Sequence, residues 1–265
     1  MGQIWEQGLY TTGGKLQLSK CFWLLFAWTW RSGSPKLVRK KRVKQELKIV
    51  QSETGEVVTI PQKDIDKGPK RLGVRISADE SWLKEKARWI DLIVNLAKKV
   101  RKARFSRMAG FKAYSGVWAA KFRYVAGTMG LGKKDCDKIE RPMVRECLRA
   151  AGMNGNFPRK VVFGPSELGG LEWDNFHSLK CTEQIKVVLG HLRQNTKLGK
   201  LIRINIETVQ LLSGISTPIL QCKEHIDYIE DGWIVSLHHS LVESGVQVKL
   251  MDGWMPKNRG SAMCF

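Results

Sequence analysis

Joining nucleotides with a metal pair requires acidic side chains about one metal-pair width apart, usually on adjacent strands. The acids of this chain do not form that set. In the strand-like stretch 13–78 they are Glu46, Glu53, Glu56, Asp64 and Asp66, all in turns or polar runs, and no hydrophobic-Asp-Asp turn occurs anywhere. Asp135 and Asp137 fall in the first turn of a helix, where acids suit the helix dipole, so capping explains them better than a metal does. Cys222-x-x-His225 with His238 has zinc-binding residue types but no fourth ligand at an obvious spacing. His238 and His239 are adjacent and point to different sides of a helix, and His225 reads as a surface residue near a helix start. Walker-type phosphate loops, G-x-S-x-G elbows and H-E-x-x-H helices do not occur. The chemistry left is electrostatic. Lys and Arg number 45 against 25 Asp and Glu, a net charge of +20. That balance draws polyanions, nucleic acid being the commonest and an anionic membrane surface the rival.

The cations gather in two stretches. Residues 31–48 carry eight basic residues and one acid, Glu46. Short β-rich runs at 47–50 and 56–60, with a turn at Glu53-Thr54-Gly55, make this a hairpin insertion whose tip holds Arg39, Lys40, Lys41 and Arg42. The alternative is a mobile, solvated loop. The second stretch is a helix over 82–104. Trp82, Trp89, Ile93, Leu96 and Val100 recur on one face, and Lys98, Lys99, Arg101, Lys102 and Arg104 make it basic elsewhere. Asp79 or Ser81 is its N-cap.

The elements around these follow from pattern. Residues 21–30 are aromatic and apolar almost throughout, too short to span a membrane, and predict a buried strand entered by a Gly13-Gly14 turn and flanked by Lys15 and Lys20. With those two lysines beside it, the strand edge is a place to hold a phosphate backbone; the plain alternative is a core strand with solvated lysines. Residues 1–12 read as the end of a helix that something precedes. The segment before 21–30 is too long and polar for a secretory signal. A connector at 61–69 leads to a short strand, 72–76. Helices follow at 111–126, 135–151, 182–194, 201–212 and 228–243, the last two packing on each other, with a Gly-Pro loop at 154–173 and frayed final residues. Six scattered cysteines without CxxC pairs indicate neither a disulfide framework nor a zinc ribbon, and fit a reducing intracellular compartment, nucleus or cytoplasm. With 43% apolar residues over 265 positions, the chain can bury a core as one large or two small domains. The fold class is α+β, a small antiparallel sheet over 1–78 followed by a mainly helical region.

Taken in order, Gly14-x-Leu16-x-x-x-Lys20 before the aromatic strand, Leu72-Gly73-Val74, the basic helices and Gly169-Gly170-Leu171 resemble a retrotransposon-type reverse transcriptase. The resemblance is to the part of that RNA-directed DNA polymerase that follows its catalytic Asp-Asp turn. It implies that Lys20 lies near the incoming nucleotide and that Leu72, Gly73 and Val74 form the primer grip. It divides the chain into a palm-edge-like sheet with a basic hairpin insertion (1–78), thumb-like helices (79–152) and a post-thumb helical region (153–265). It also implies RNA and DNA template–primer as partners, together with the fingers and palm core, and no membrane. Mg²⁺ would belong to the full-length polymerase; this chain is expected to supply no catalytic residue, metal ligand or cofactor of its own. The insertion 31–61 exceeds a compact link between the two motifs. The resulting expectation is a polymerase fragment that binds template–primer and is inactive alone. The alternative is a non-enzymatic nucleic-acid-binding protein derived from such an element.

Overall fold

A computed structural model describes residues 2–38, 44, 46–68, 70–71, 73–77, 81–103 and 105–250. The chain falls into two compact units, Met1–Lys84 and Glu85–Phe265.

The first unit begins with helix α1 (Gly2–Thr11). Among the described residues its strands come in four two-stranded pairs rather than one sheet. Strand β1 (Trp23–Leu24) runs parallel to β6 (Gln62–Lys63), while β2 (Trp28–Arg31) with β3 (Ser34–Leu37), β4 (Leu47–Val50) with β5 (Val57–Ile60), and β7 (Lys70–Arg71) with β8 (Val74–Arg75) are antiparallel. Leu18, Ile49 and Ile60 form the buried centre, with Leu16, Cys21, Trp23 and Val58 against it. Helix α1 is tied to β4 by Gln3, whose amide donates to the Val50 carbonyl at 2.9 Å and accepts the Val50 N–H at 2.8 Å.

Two expectations are corrected here. The aromatic stretch 21–30 is not one buried strand: Leu25-Phe26-Ala27 interrupts it, and Phe26, Trp28 and Trp30 are 56%, 64% and 74% exposed. The physical reason is that, among the described residues, β2 pairs with β3 alone. It turns back on β3 through Ser32 and Gly33, whose φ values of 53° and 75° suit a tight hairpin, and a hairpin paired with nothing further exposes its faces. Residues 72–76 are likewise not a single strand. Gly73, at φ 95°, turns between β7 and β8, and Leu72 lies outside the described residues.

The second unit is helical. Helix α2 (Leu83–Lys102) matches the helix expected over 82–104, burying Glu85, Trp89, Ile93, Ala97 and Val100 at spacings of three and four. The helix expected at 111–126 starts earlier, where the Ser106 hydroxyl accepts the Ala109 N–H. It runs as α3 (Arg107–Ala113), a π-helical segment (Tyr114–Ala119) and α4 (Ala120–Ala126). Helices α5 (Lys133–Ala150), α6 (Arg159–Val162), α7 (Phe176–Arg193), α8 (Lys197–Ser213) and α9 (Trp233–Ser244) complete it. Asp135 sits in α5's first turn as expected, paired to Lys86 of α2.

Rings link these helices. Trp89 stands edge-on to Phe122 at 5.4 Å, Phe122 stacks on Phe176 at 4.1 Å, and Tyr114 stacks on Trp173 at 4.5 Å, with Phe111 edge-on to Trp173 at 5.4 Å. A second apolar cluster joins α7, α8 and α9 through Val188, Ile202, Ile206, Ile234 and Leu237. Helices α8 and α9 do touch, and α7 packs on both. Lys180 is fully buried among them, its Nζ donating to the Leu131 carbonyl at 2.5 Å and the Ser236 hydroxyl at 3.2 Å. Among the described residues no helix is long and apolar enough to cross a membrane.

The α7–α8 corner is tight enough to test. A Cβ placed on Gly199 would meet the His191 carbonyl oxygen at 2.2 Å and its carbon at 2.7 Å. Alanine gains about 1 kcal/mol in helix propensity, but overpacking against backbone costs about 1–3 kcal/mol. Gly199→Ala is therefore expected to lower the unfolding midpoint in a denaturant titration. A variant more stable than wild type would contradict so close an approach.

Candidate polyanion-binding groove

Three open cavities, of about 250, 360 and 590 Å³, are lined in part by the same arginines of the second unit. The first lies between α2 and α5, lined by Val94, Ala97 and Pro142 together with Lys98, Arg101, Arg141 and Arg145. Arg141 and Arg145 are four residues apart, so they stand on one face of α5. Both also line the second cavity, with Asn156, Phe157, Pro158 and Arg159. Arg141 and Arg159 reappear in the third, joined by Lys133, Lys160 and the His177 and Ser178 end of α7. Shared arginines thus chain the three into one basic strip.

The loop 154–173 brings Arg159 to the strip. It folds back on itself as Leu171 N–H donates to Val161 O at 2.9 Å and Glu172 N–H to Gly164 O at 2.9 Å. That closure needs Gly170, where a Cβ would lie 2.1 Å from the Gly164 carbonyl oxygen. Arg159 Nη2 reaches the Gly155 carbonyl at 3.3 Å, while Nη1 is buried without a hydrogen-bond partner. Burial and the neighbouring Arg141 charge both lower the Arg159 pKa, against the opposing pull of Glu140. A guanidinium held beside another arginine with a donor unmet is a site where an anion lowers the energy.

Asp137 and Glu243 put negative charge into the third cavity, whereas the other two acids of the strip are engaged. Glu146 is already paired with Arg149 at 2.9 Å. Glu140 is buried on α5 and accepts from Phe176 N–H at 2.8 Å and Asn175 Nδ2 at 3.1 Å. Burial outweighs these hydrogen bonds and pushes its pKa up to about 8, so at neutral pH it is mostly uncharged. Asn175 also caps α7, its Oδ1 accepting the His177 and Ser178 N–H groups. His177 is held neutral, its pKa lowered to about 4 by burial and by Lys180 and Lys133. Its Nε2 lies 3.0 Å from a Glu243 carboxylate oxygen but out of hydrogen-bond alignment.

The residues singled out from sequence divide plainly. Lys98 and Arg101 line the groove; Lys99 and Lys102 are exposed on α2 but do not line it. Lys20 is exposed in a 3₁₀ turn, Leu18–Lys20, of the first unit. Gly73 is a turn residue and Val74 is buried. Arg39, Lys40, Lys41, Arg42, Leu72 and Arg104 lie outside the described residues. Sequence reasoning missed Arg141, Arg145 and Arg159. The first two were readable as a four-residue basic repeat, continued by Arg149, on a helix already drawn. Cys222 and His238 do not converge as ligands. His238 has both ring nitrogens on carbonyl oxygens, of Ile219 at 2.9 Å and Glu224 at 2.8 Å.

Comparison with family models, with characterised proteins and with solved structures finds no match to this chain.

The Glu140 and His177 titrations give pH dependences of opposite sign. Glu140 has a folded pKa of about 8 against an ordinary 4.5, so between those values the native state binds more protons and stability falls as pH rises. His177 has about 4 against 6.5, so stability rises with pH across that window. The two oppose each other below pH 6.5, and of this pair only Glu140 titrates from there to pH 8. A loss of about 2 kcal/mol is expected across pH 6.5–8, and Glu140→Gln should flatten it. An E140Q variant with the wild-type slope would place the titrating group elsewhere.

Proposed function

We propose that this chain binds the phosphate backbone of nucleic acid in the strip formed by α2, α5 and the 154–173 loop. The observation that carries the reading is the run of Lys98, Arg101, Arg141, Arg145 and Arg159 along adjoining cavities, with Arg159 Nη1 lacking an acceptor. Phosphate oxygens are the acceptors that such donors take, and contacts of this kind position a backbone without reading sequence. The net charge of +20 supports it independently. The narrower proposal is the thumb-bearing part of a retroelement reverse transcriptase, engaging template–primer and inactive alone. It rests on the motif order around Lys20, Leu72-Gly73-Val74 and Gly169-Gly170-Leu171 and on the basic helix α2. An intracellular setting belongs to the same proposal, supported by Cys21, Cys136, Cys147, Cys181 and Cys222, all unpaired.

Fluorescence anisotropy with a labelled RNA–DNA duplex tests the groove. Six or more phosphate contacts predict a loss of roughly 10³-fold or more in affinity between 50 and 200 mM salt, and Arg141→Ala with Arg145→Ala should reduce the log–log salt slope by about 2. Salt-insensitive binding, or a slope unchanged in the double variant, would overturn the groove. Primer extension with Mg²⁺ by the 265-residue chain tests the narrower proposal: no product is expected, and clear extension would contradict it.

A further inference from the structure

His225, Asp227 and His239 each bring one ligand atom within 4.8 Å of the others. They come from two elements, His239 from α9 and the other two from the segment 222–232 that precedes it. The segment is held against the helix on both sides of His225. On one side the Glu224 carbonyl meets His238 Nε2 at 2.8 Å, and on the other the Ile226 side chain is fully buried. Ile229 N–H donates to Ile226 O at 3.0 Å, closing a turn that contains Asp227. The backbone carrying two of the three groups is therefore fixed in place by contacts that do not involve them.

The third group has an unmet need. His239 Nε2 is shut off from solvent and makes no hydrogen bond, although the side chain as a whole is 26% exposed. Its nearest acidic neighbour, Asp227 Oδ1, stands 3.5 Å away. Tetrahedral zinc with bonds of about 2.0–2.1 Å sets its donor atoms roughly 3.4 Å apart. The Asp227–His239 pair already has that separation. His225 and Asp227 are exposed, so side-chain rotation closes the remaining gap without moving backbone. Asp231 adds a second negative charge acting on the His239 ring.

We propose that His225, Asp227 and His239 form a binding site for a divalent cation of the zinc class. Two imidazoles and one carboxylate suit such an ion, and three protein ligands leave a coordination position for water or an anion. Bound there, the ion clamps the segment 222–232 to α9. This site shares no residue with the basic strip and does not depend on nucleic-acid binding. Neither Cys222 nor His238 takes part: the thiol is engaged with the Glu224 backbone at 3.4 Å and 3.7 Å, and both His238 nitrogens face carbonyls.

Titration calorimetry of the full chain with Zn²⁺, paired with X-ray absorption of the loaded protein, tests the assignment. One ion per chain is expected, with nitrogen and oxygen neighbours and no sulfur. His239→Ala and Asp227→Ala should each weaken binding at least about tenfold, and Cys222→Ser should leave it unchanged. Circular dichroism checks that each variant folds, and His225→Ala supplies an exposed position at which loss of folding is not a concern. Absence of stoichiometric uptake, a sulfur neighbour, a loss in Cys222→Ser, or binding that survives both His225→Ala and His239→Ala would overturn the site.

Discussion

The second unit depends on a column of rings. Trp89 from α2, Phe122 from α4, Phe176 from α7, Tyr114 from the π-helical segment, Trp173 from the loop and Phe111 from α3 meet in sequence, each within 6.3 Å of the next. Large aromatic side chains bury the most area per residue and fix orientation through edge and stacked contacts. One end of the column sets α2, and near the other Trp173 sets the loop that carries Arg159. The basic strip between them inherits its shape from this packing, because Lys98, Arg101 and Arg159 stand on the elements that the rings hold in place.

Burial shapes the electrostatics as much as charge count does. Glu140 sits among arginines and accepts two hydrogen bonds, yet its desolvation dominates and its acidity falls. A charged Glu140 would partly cancel the field of Arg141 and Arg159. Held mostly neutral at physiological pH, it anchors the start of α7 while leaving the strip positive. His177, also kept uncharged, adds nothing to either sign. The positive charge is least opposed along Lys98, Arg101, Arg141 and Arg145, since Asp137 and Glu243 stand at the third cavity.

Helix α2 was legible because Trp89, Ile93, Leu96 and Val100 keep an apolar stripe over about three turns and nothing competes with it. The Asp135 end of α5 was legible because acid placement follows the helix dipole. The stretch 21–30 was not. Trp, Phe and Leu in succession report a preference for β-structure, but burial requires a second layer, and among the described residues β2 pairs only with β3. No local signal states which strands find partners. The basic strip was half legible: Lys98 and Arg101 were visible as part of an amphipathic helix, whereas their meeting with Arg141 and Arg145 is a contact between helices some forty residues apart in the chain. The His225, Asp227 and His239 group was hidden for a similar reason. Adjacent His238 and His239 do face different ways, as helical geometry demands, but which of them would meet His225 depended on Ile219 and Glu224 claiming the other.

The wide turn at Tyr114–Ala119 bears on how this chain tolerates change in length. Tyr114, Trp118 and Phe122 are spaced by four and all buried, a spacing that drifts around an ordinary α-helix but stays nearer one stripe where the winding is looser. Removing a single residue there would restore ordinary winding, and because i→i+5 winding already accommodates one residue more than i→i+4 winding, the helix beyond would keep nearly the same phase. Phe122 would stay in the ring column. Removing a residue from the ordinary turns of α3 would instead rotate Phe122 by about 100°, so this helix can change length at the wide turn and not beside it.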